Sequence, residues 1–411
     1  MRVLVLSQHF DPEPITRPMD VARGLTARGH SVEVLTGLPC YPLGHLYPGY
    51  RLRPLQRETI GGIPVTRVIL YPSHSKSALA RILSYGSFMI SSVFGSLFTG
   101  PCDIIYVRHP PLTVGVSAWL IGLIKGAPFI YDVQDIWPES GVWSGMLKDG
   151  FLVRILKVLE KFVYRRASHI LVVTEAARRN LIGKGVEPDA VSIASQLIDE
   201  KAFAEPNPAR VAEIRKEHDL VGRFVVMFAG NVGLVQGLDA AIDAAALLTD
   251  EPSVRFVFVG GGVDRDRLRQ KAQALALRNV VFIDQRPESE MPDHLAAADA
   301  VLLSLKYSEL CEYSIPLKTF AYMASGRPII AAIKGAAADI VAKAGAGLVI
   351  SPEDPEALAN EVRRLMGLSE AERTRIGAAG RKYMITHHSK EAKLDEYVSV
   401  ITKTCAQNRG R

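Results

Sequence analysis

Three stretches of the chain place small, charged or acidic residues where a phosphate or a sugar could meet them. The first is SIPLKTFAYMASGRPII, residues 314–330. Ser314 suits the N-cap of a short helix and Pro316 its first turn. Gly326 suits the left-handed residue past its end, and Ile329-Ile330-Ala331 reads as a buried strand. Free amides, the positive end of the helix dipole and Lys318 then converge at one point, which suits an anion such as a diphosphate. The second stretch, FAGNVGLVQGLDAAIDAA, sets Gly230, Gly233 and Gly237 between a strand and an alanine-rich helix. Small residues there let backbone amides approach a phosphate closely. The spacing is neither the GxGxxG dinucleotide fingerprint nor the GxxxxGK[ST] P-loop, which disfavours dehydrogenases and P-loop NTPases. The third, YDVQDIWPESG, follows a strand with Asp132, Asp135 and Glu139. A carboxylate at a strand's end can orient a sugar hydroxyl or accept a proton; Asp135 as a helix cap and Glu139 as a solvated rim residue is the competing reading. His9 and Arg17 in SQHFDPEPITRPMD, and Arg108 and His109 in VRHPPLTVG, stand at other strand ends.

These residues need rigid elements to aim them. Short apolar strands alternate with helical segments, the pattern of parallel α/β sheets. Strands are expected at residues 3–6, 32–36, 65–70, 103–107, 129–132 and 170–174. A second series falls at 224–229, 254–259, 280–283, 300–304 and 328–331. The polar, proline-bearing KAFAEPNPARV after Asp199 reads as a linker. Two doubly wound domains follow, 1–198 and 199–411, facing across a cleft, with the last helix able to pack back on the first domain.

The chain has 411 residues, 48% apolar and 22% charged, enough for two large cores. Its four cysteines lie far apart with no CxxC pair, which argues against a disulfide framework or a zinc site. The first apolar run is too short for a secretory signal and reads as a strand. Net charge is +6, and residues 1–195 carry all the excess, with 21 Lys and Arg against 14 Asp and Glu. A basic half suits a phosphorylated substrate or an anionic membrane. No RNA-binding signature or zinc-finger spacing supports nucleic acid. ILSYGSFMISSVFGSLFT, residues 82–99, carries no charge. Its five serines, and a strand series that continues on both sides, argue against a spanning helix. A buried helix, or one lying in a membrane interface with Phe88, Val93 and Leu97 outward, fits better. FLVRILKVLEKFVYRR, residues 151–166, reads as an amphipathic surface helix.

Taken together, LTARGHSVEVLTGLPCYPLGHLYPGY, RHPPLTVG, DIWPES, GNVGLVQGLD, VFVGGG, NVVFIDQRPESEMPDHLAAADAVLLSL and IPLKTFAYMASGRPII resemble the family-4 retaining glycosyltransferases of the GT-B fold. Within that family the chain resembles the group acting on O-antigen, capsule and colanic acid, including the L-fucosaminyl (FucNAc) transferases. The resemblance implies transfer of a sugar from a UDP-sugar to a polyprenyl-diphosphate-linked saccharide. It places the donor on Gly230, Asn231, Gly233, Arg286, Pro287, Glu312, Ser314, Ile315, Pro316 and Lys318. It places His9, Arg17 and Arg108 on the acceptor side and gives catalytic roles to Asp135, Lys318 and His109. No metal and no cofactor are implied, because amides and cations stabilise the leaving diphosphate. The implied location is cytoplasmic, peripheral on the inner face of the cytoplasmic membrane. The chain departs from the family pattern at Asn231 and Gln236, where Arg and Lys are common, and at Tyr313 and Ala321, where paired glutamates are common. Two rival readings are a UDP-sugar 2-epimerase and a non-catalytic nucleotide-sugar-binding partner subunit.

Overall fold

The computed structural model describes residues 1–73, 78–143, 147–203 and 205–409. The chain forms two compact units, Met1–Leu197 with Glu391–Arg411, and Ile198–Lys390. In the first unit the strands are β1 (Arg2–Ser7), β2 (Ser31–Gly37), β3 (Leu55–Ile60), β4 (Ile63–Val68), β5 (Ile104–His109), β6 (Phe129–Val133), β7 (His169–Val172) and β8 (Val191–Ile193). They pair in the order β3-β4-β2-β1-β5-β6-β7-β8. All pairs are parallel except β3 with β4, a hairpin turned at Gly61-Gly62, both at positive φ as a two-residue turn demands.

The second unit holds β9 (Phe224–Ala229), β10 (Val254–Val259), β11 (Val280–Ile283), β12 (Ala300–Ser304), β13 (Ile329–Ala332) and β14 (Gly347–Ile350). Their order is β11-β10-β9-β12-β13-β14, parallel throughout. Apolar side chains on both faces explain the continuous runs: Val225, Met227 and Ala229 enter one core, Phe224, Val226 and Phe228 the other. Among the parallel strands, each sheet has one place where strand order reverses, between β1 and β5 and between β9 and β12. Loops leaving those neighbours diverge to opposite sides and leave room for a ligand at the strands' carboxyl ends.

The helix Lys390–Arg409 belongs to the first unit from Glu391 onward. Leu394, Tyr397, Ile401 and Cys405 share one core with Val3, Val5, Val21 and Ala22. Gly24 leaves room for Leu394, whose Cδ2 would lie 2.8 Å from a Cβ there. Arg28 adds ion pairs to Glu391 and Asp395.

Residues 82–99 fall in a helix, Ala78–Gly95, and a short 3₁₀ turn, Ser96–Phe98. No helix among the described residues is long and apolar enough to cross a membrane. The helix is amphipathic in an inverted sense. Ser84, Ser92 and Ser96 face inward, Ser84 Oγ accepting from Gln8 Nε2 and the other two donating to Met89 O and Val93 O, while Ile82, Leu83, Ile90, Phe94, Leu97 and Phe98 are exposed. Phe88, expected outside, is fully buried, because it shares its helix face with Ser84 and Ser92.

Candidate functional sites

In the second unit, the loops after β9 and β12 open at the sheet's reversal point. The helix after β12 spans Leu317–Ser325 and ends at Gly326, with φ of 69°. Its start differs from the sequence reading: Pro316, not Ser314, is the N-cap. Ser314 is extended and closes the preceding one-turn helix Leu310–Tyr313, its Oγ donating to Leu310 O at 3.2 Å. Ile315 between them is buried in the core and fixes the direction in which the helix starts.

Lys318 lies in that first turn. Its Nζ donates to Gln236 Oε1 at 2.7 Å and sits 4.1 Å from the centroid of the Phe228 ring. A Cβ on Gly230 would lie 3.4 Å from the same nitrogen. Among the described residues no carboxylate reaches ion-pair distance of Lys318, and burial pushes its pKa down to about 7. A desolvated cation whose neighbours are an aromatic face, an amide oxygen and a bare backbone gains strongly from any anion that reaches it.

The loop after β10 braces the glycine loop from beside it. A Cβ on Gly260 (φ 139°) would lie 2.1 Å from Gly230 O, and one on Gly262 (φ 150°) 2.2 Å from Val232 O. Val232 N donates to Gly261 O at 2.7 Å, and Asp264 N to Val232 O at 3.1 Å. From the other side Ser304 Oγ donates to Gln236 O at 2.6 Å. Gln236 thus holds Lys318 by its side chain while its backbone is tied to β12. Asn231 is exposed at the tip, and Gly233 is buried beneath it. Arg286, after β11, is half-buried with no hydrogen-bond partner for Nε. Pro287 and Glu312 are exposed, and Glu312 makes no ion pair among the described residues. The VFVGGG run and Phe228 carried a legible signal, three glycines and an aromatic at strand ends; Gln236 as the lysine's holder did not.

In the first unit, His9 follows β1. Its Nδ1 lies 3.2 Å from Glu13 Oε1, and its ring packs 5.1 Å from that of Tyr41. Glu13 is buried and accepts from the amides of Phe10, Cys40 and Tyr41. Arg108 and Asp135 stand at the ends of β5 and β6. Burial raises the Asp135 pKa against the opposing pull of Arg108 and Arg17. Burial and the neighbouring Arg17 lower that of Arg108, whose Nε has no partner. Asp135 caps no helix, since the next one begins at Glu139. Glu139 is not a solvated rim residue either: it pairs with Lys184 at 2.8 Å.

Two expected site residues prove to be internal. Arg17 is buried, ion-paired with Asp132 at 3.6 Å, and donates to Tyr397 and Gln196. Tyr106 OH and Gln134 Nε2 complete the shell around Asp132, both at 2.5 Å. His109 is also buried, 5.5 Å from the Tyr131 ring, and burial with Arg108 nearby pushes its pKa down to about 3. It stays neutral at physiological pH, and its Nδ1 has no hydrogen-bond partner.

Two family models divide the chain as its sheets do. The glycosyl transferase 4-like domain matches residues 14–195, and the glycosyl transferases group 1 domain matches residues 211–383. The chain belongs to the group 1 glycosyltransferases. This assignment displaces the epimerase alternative. Among the relatives of this glycosyltransferase is the putative colanic acid biosynthesis glycosyl transferase WcaI of Escherichia coli, 26% identical over 98% of this chain and 100% of that one. The probable glycosyltransferase WbjE of Pseudomonas aeruginosa is 26% identical over 75% and 76%. The GT-B fold is matched by the crystal structure of Anabaena HepE in complex with UDP, with a TM-score of 0.73, 17% identity and coverage of 98% and 100%.

Proposed function

We propose that this glycosyltransferase moves a sugar, with retention of configuration, from a UDP-sugar to a polyprenyl-diphosphate-linked saccharide in bacterial surface polysaccharide synthesis. An N-acetylated amino sugar such as FucNAc is the donor sugar suggested by the resemblance. The observation that carries the reading is Lys318, a half-buried cation beside Gly230 with no carboxylate at ion-pair distance among the described residues. HepE, of the same fold, was crystallised with UDP, and WcaI is described as acting in colanic acid synthesis, which supports donor and pathway class.

In this reading the second unit binds the donor. Lys318, the first-turn amides of its helix and the Gly230–Gly233 loop receive the diphosphate, and Arg286 with Pro287 lies by the base. The first unit takes the acceptor, with Arg108 and His9 near its polar groups. The acceptor hydroxyl oxygen bonds to the anomeric carbon on the face from which the diphosphate departs. The C–O bond electrons pass to the leaving phosphate oxygen, which takes up the hydroxyl proton. Lys318 and the amides stabilise the charge that develops there, the role a metal plays elsewhere. Asp135 orients the sugar.

The test is transfer by the purified chain from a panel of radiolabelled UDP-sugars to a lipid-diphosphate-GlcNAc acceptor, with the product anomer read by NMR. Transfer in the presence of a chelator is expected. UDP binding without transfer from any donor favours the non-catalytic subunit instead.

A further inference from the structure

We propose that an apolar cavity in the first unit seats the first part of the acceptor's prenyl chain and brings the attached diphosphate towards Arg108 and Asp135. The cavity, of about 160 Å³, lies between the helix Ala78–Gly95 and the helix Phe151–Arg166. Ile82, Tyr85, Leu112, Trp137 and Leu156 line it, together with Arg81, the one cation in the lining among the described residues. The inference rests on the lipid-linked acceptor of the preceding section.

Three independent observations meet here. Both helices that wall the cavity leave large apolar side chains uncovered: Phe94 is 65% exposed on one, and Phe151 and Val158 are 78% and 70% exposed on the other. Charge on these helices has one sign at the surface. The first carries only Arg81, and the second exposes Arg154, Lys157, Lys161, Arg165 and Arg166, while its lone acid, Glu160, is buried. An apolar face with a purely basic fringe complements an anionic lipid surface. Third, the cavity's inner wall is built from the site's own loops. Pro110, Pro111 and Leu112 follow Arg108 and His109, and Trp137 lies two residues beyond Asp135.

Size decides how much of a chain can enter. An apolar cavity of roughly 150 Å³ accepts a benzene-sized guest. The cavity therefore holds about one five-carbon unit, while the rest of the chain stays in the membrane. Arg81 at the lining supplies the charge for the phosphate that the chain carries. The ligand class is an apolar chain ending in a diphosphate, and its source is the prenyl-linked acceptor.

Farnesyl diphosphate serves as the probe, with intrinsic fluorescence as the readout because Trp137 faces the cavity. The full-length chain is expected to show a saturable emission shift with farnesyl diphosphate. Inorganic diphosphate and isopentenyl diphosphate should bind far more weakly. Leu156→Phe, which fills the cavity, should weaken farnesyl diphosphate binding about tenfold, the worth of one buried leucine-sized group. Its melting temperature and its calorimetric UDP affinity should not change. Arg81→Gln should weaken farnesyl diphosphate but not farnesol, and Trp137→Phe should abolish the signal while calorimetric binding persists. Equal affinity in wild type and Leu156→Phe overturns the proposal. So does binding to phosphatidylglycerol vesicles without any saturable response to farnesyl diphosphate, which would make the face a membrane anchor only. A protein partner that covers the face and blocks the probe overturns it as well. Failure to bind UDP would instead count against the donor reading, so the two failures are distinguishable.

Discussion

Lys318 should make donor binding depend on pH in a defined direction. Its pKa of about 7 means that the ammonium fraction falls as pH rises through neutrality. A diphosphate needs the charged form, so UDP affinity should weaken with rising pH. Binding should take up a proton, detectable by calorimetry in buffers of different ionisation enthalpy. Lys318→Met should flatten the profile, and Lys318→Ala should lose about 3 kcal/mol of transition-state stabilisation with the fold preserved, by analogy with losing one preorganised donor. Unchanged kinetics with unchanged UDP affinity would refute the role. Asp135→Asn should cut turnover while calorimetric UDP binding stays near wild type; an earlier melt with normal turnover would mark Asp135 as structural. Lys318 was legible in the sequence because its neighbours in the chain, Pro316 and Gly326, already define a helix start and end. The burial of Arg17 was not legible, for the opposite reason. What buries Arg17 is Gln196 and Tyr397, far along the chain, and no local pattern announces that contact.

The buried cluster around Asp132 joins β6, the N-terminal helix Arg17–Ala27 and the C-terminal helix. Arg17→Ala leaves the Asp132 carboxylate buried without its cation, so it should cost about 3–5 kcal/mol. A large fall in melting temperature, with UDP affinity retained below the transition, is the expected result. A wild-type melt would show that the cluster contributes nothing. Tyr397→Phe should be milder, about 1.5–3 kcal/mol, since the ring's packing is kept and only hydrogen bonds to the charged pair are lost. The inner strands could be read from composition because both of their faces are apolar. The edge strands β3, β8 and β14 could not. β3, LQRETI, alternates exposed and half-buried residues beside an antiparallel partner, β8 is three residues long, and β14 begins at a glycine. The switch points that gather the candidate residues depend on strand order, which no single run of residues encodes.

For the molecule as a whole, the basic first half and the uncovered helix faces predict peripheral binding to the inner leaflet. Each basic residue near an anionic surface contributes on the order of 1 kcal/mol, and the inserted apolar side chains add to this. Sedimentation with phosphatidylglycerol vesicles should show binding that weakens with salt. Ile90→Asp with Phe94→Asp should release the protein without lowering its melting temperature, because both side chains are already solvated. Wild-type protein that never sediments with vesicles would sink the idea. The return of the last helix to the first unit bears on how the protein is made. Val3 and Val5 are made before the second unit, yet Tyr397, Ile401 and Cys405, which complete their core, are made after it. The whole of Ile198–Lys390 is synthesised in between. It can therefore fold during translation, while the first sheet waits for the helix Lys390–Arg409 with one flank uncovered. Messages truncated before the codon for Glu391 should yield a well-folded second unit tethered to a chaperone-bound, aggregation-prone first one.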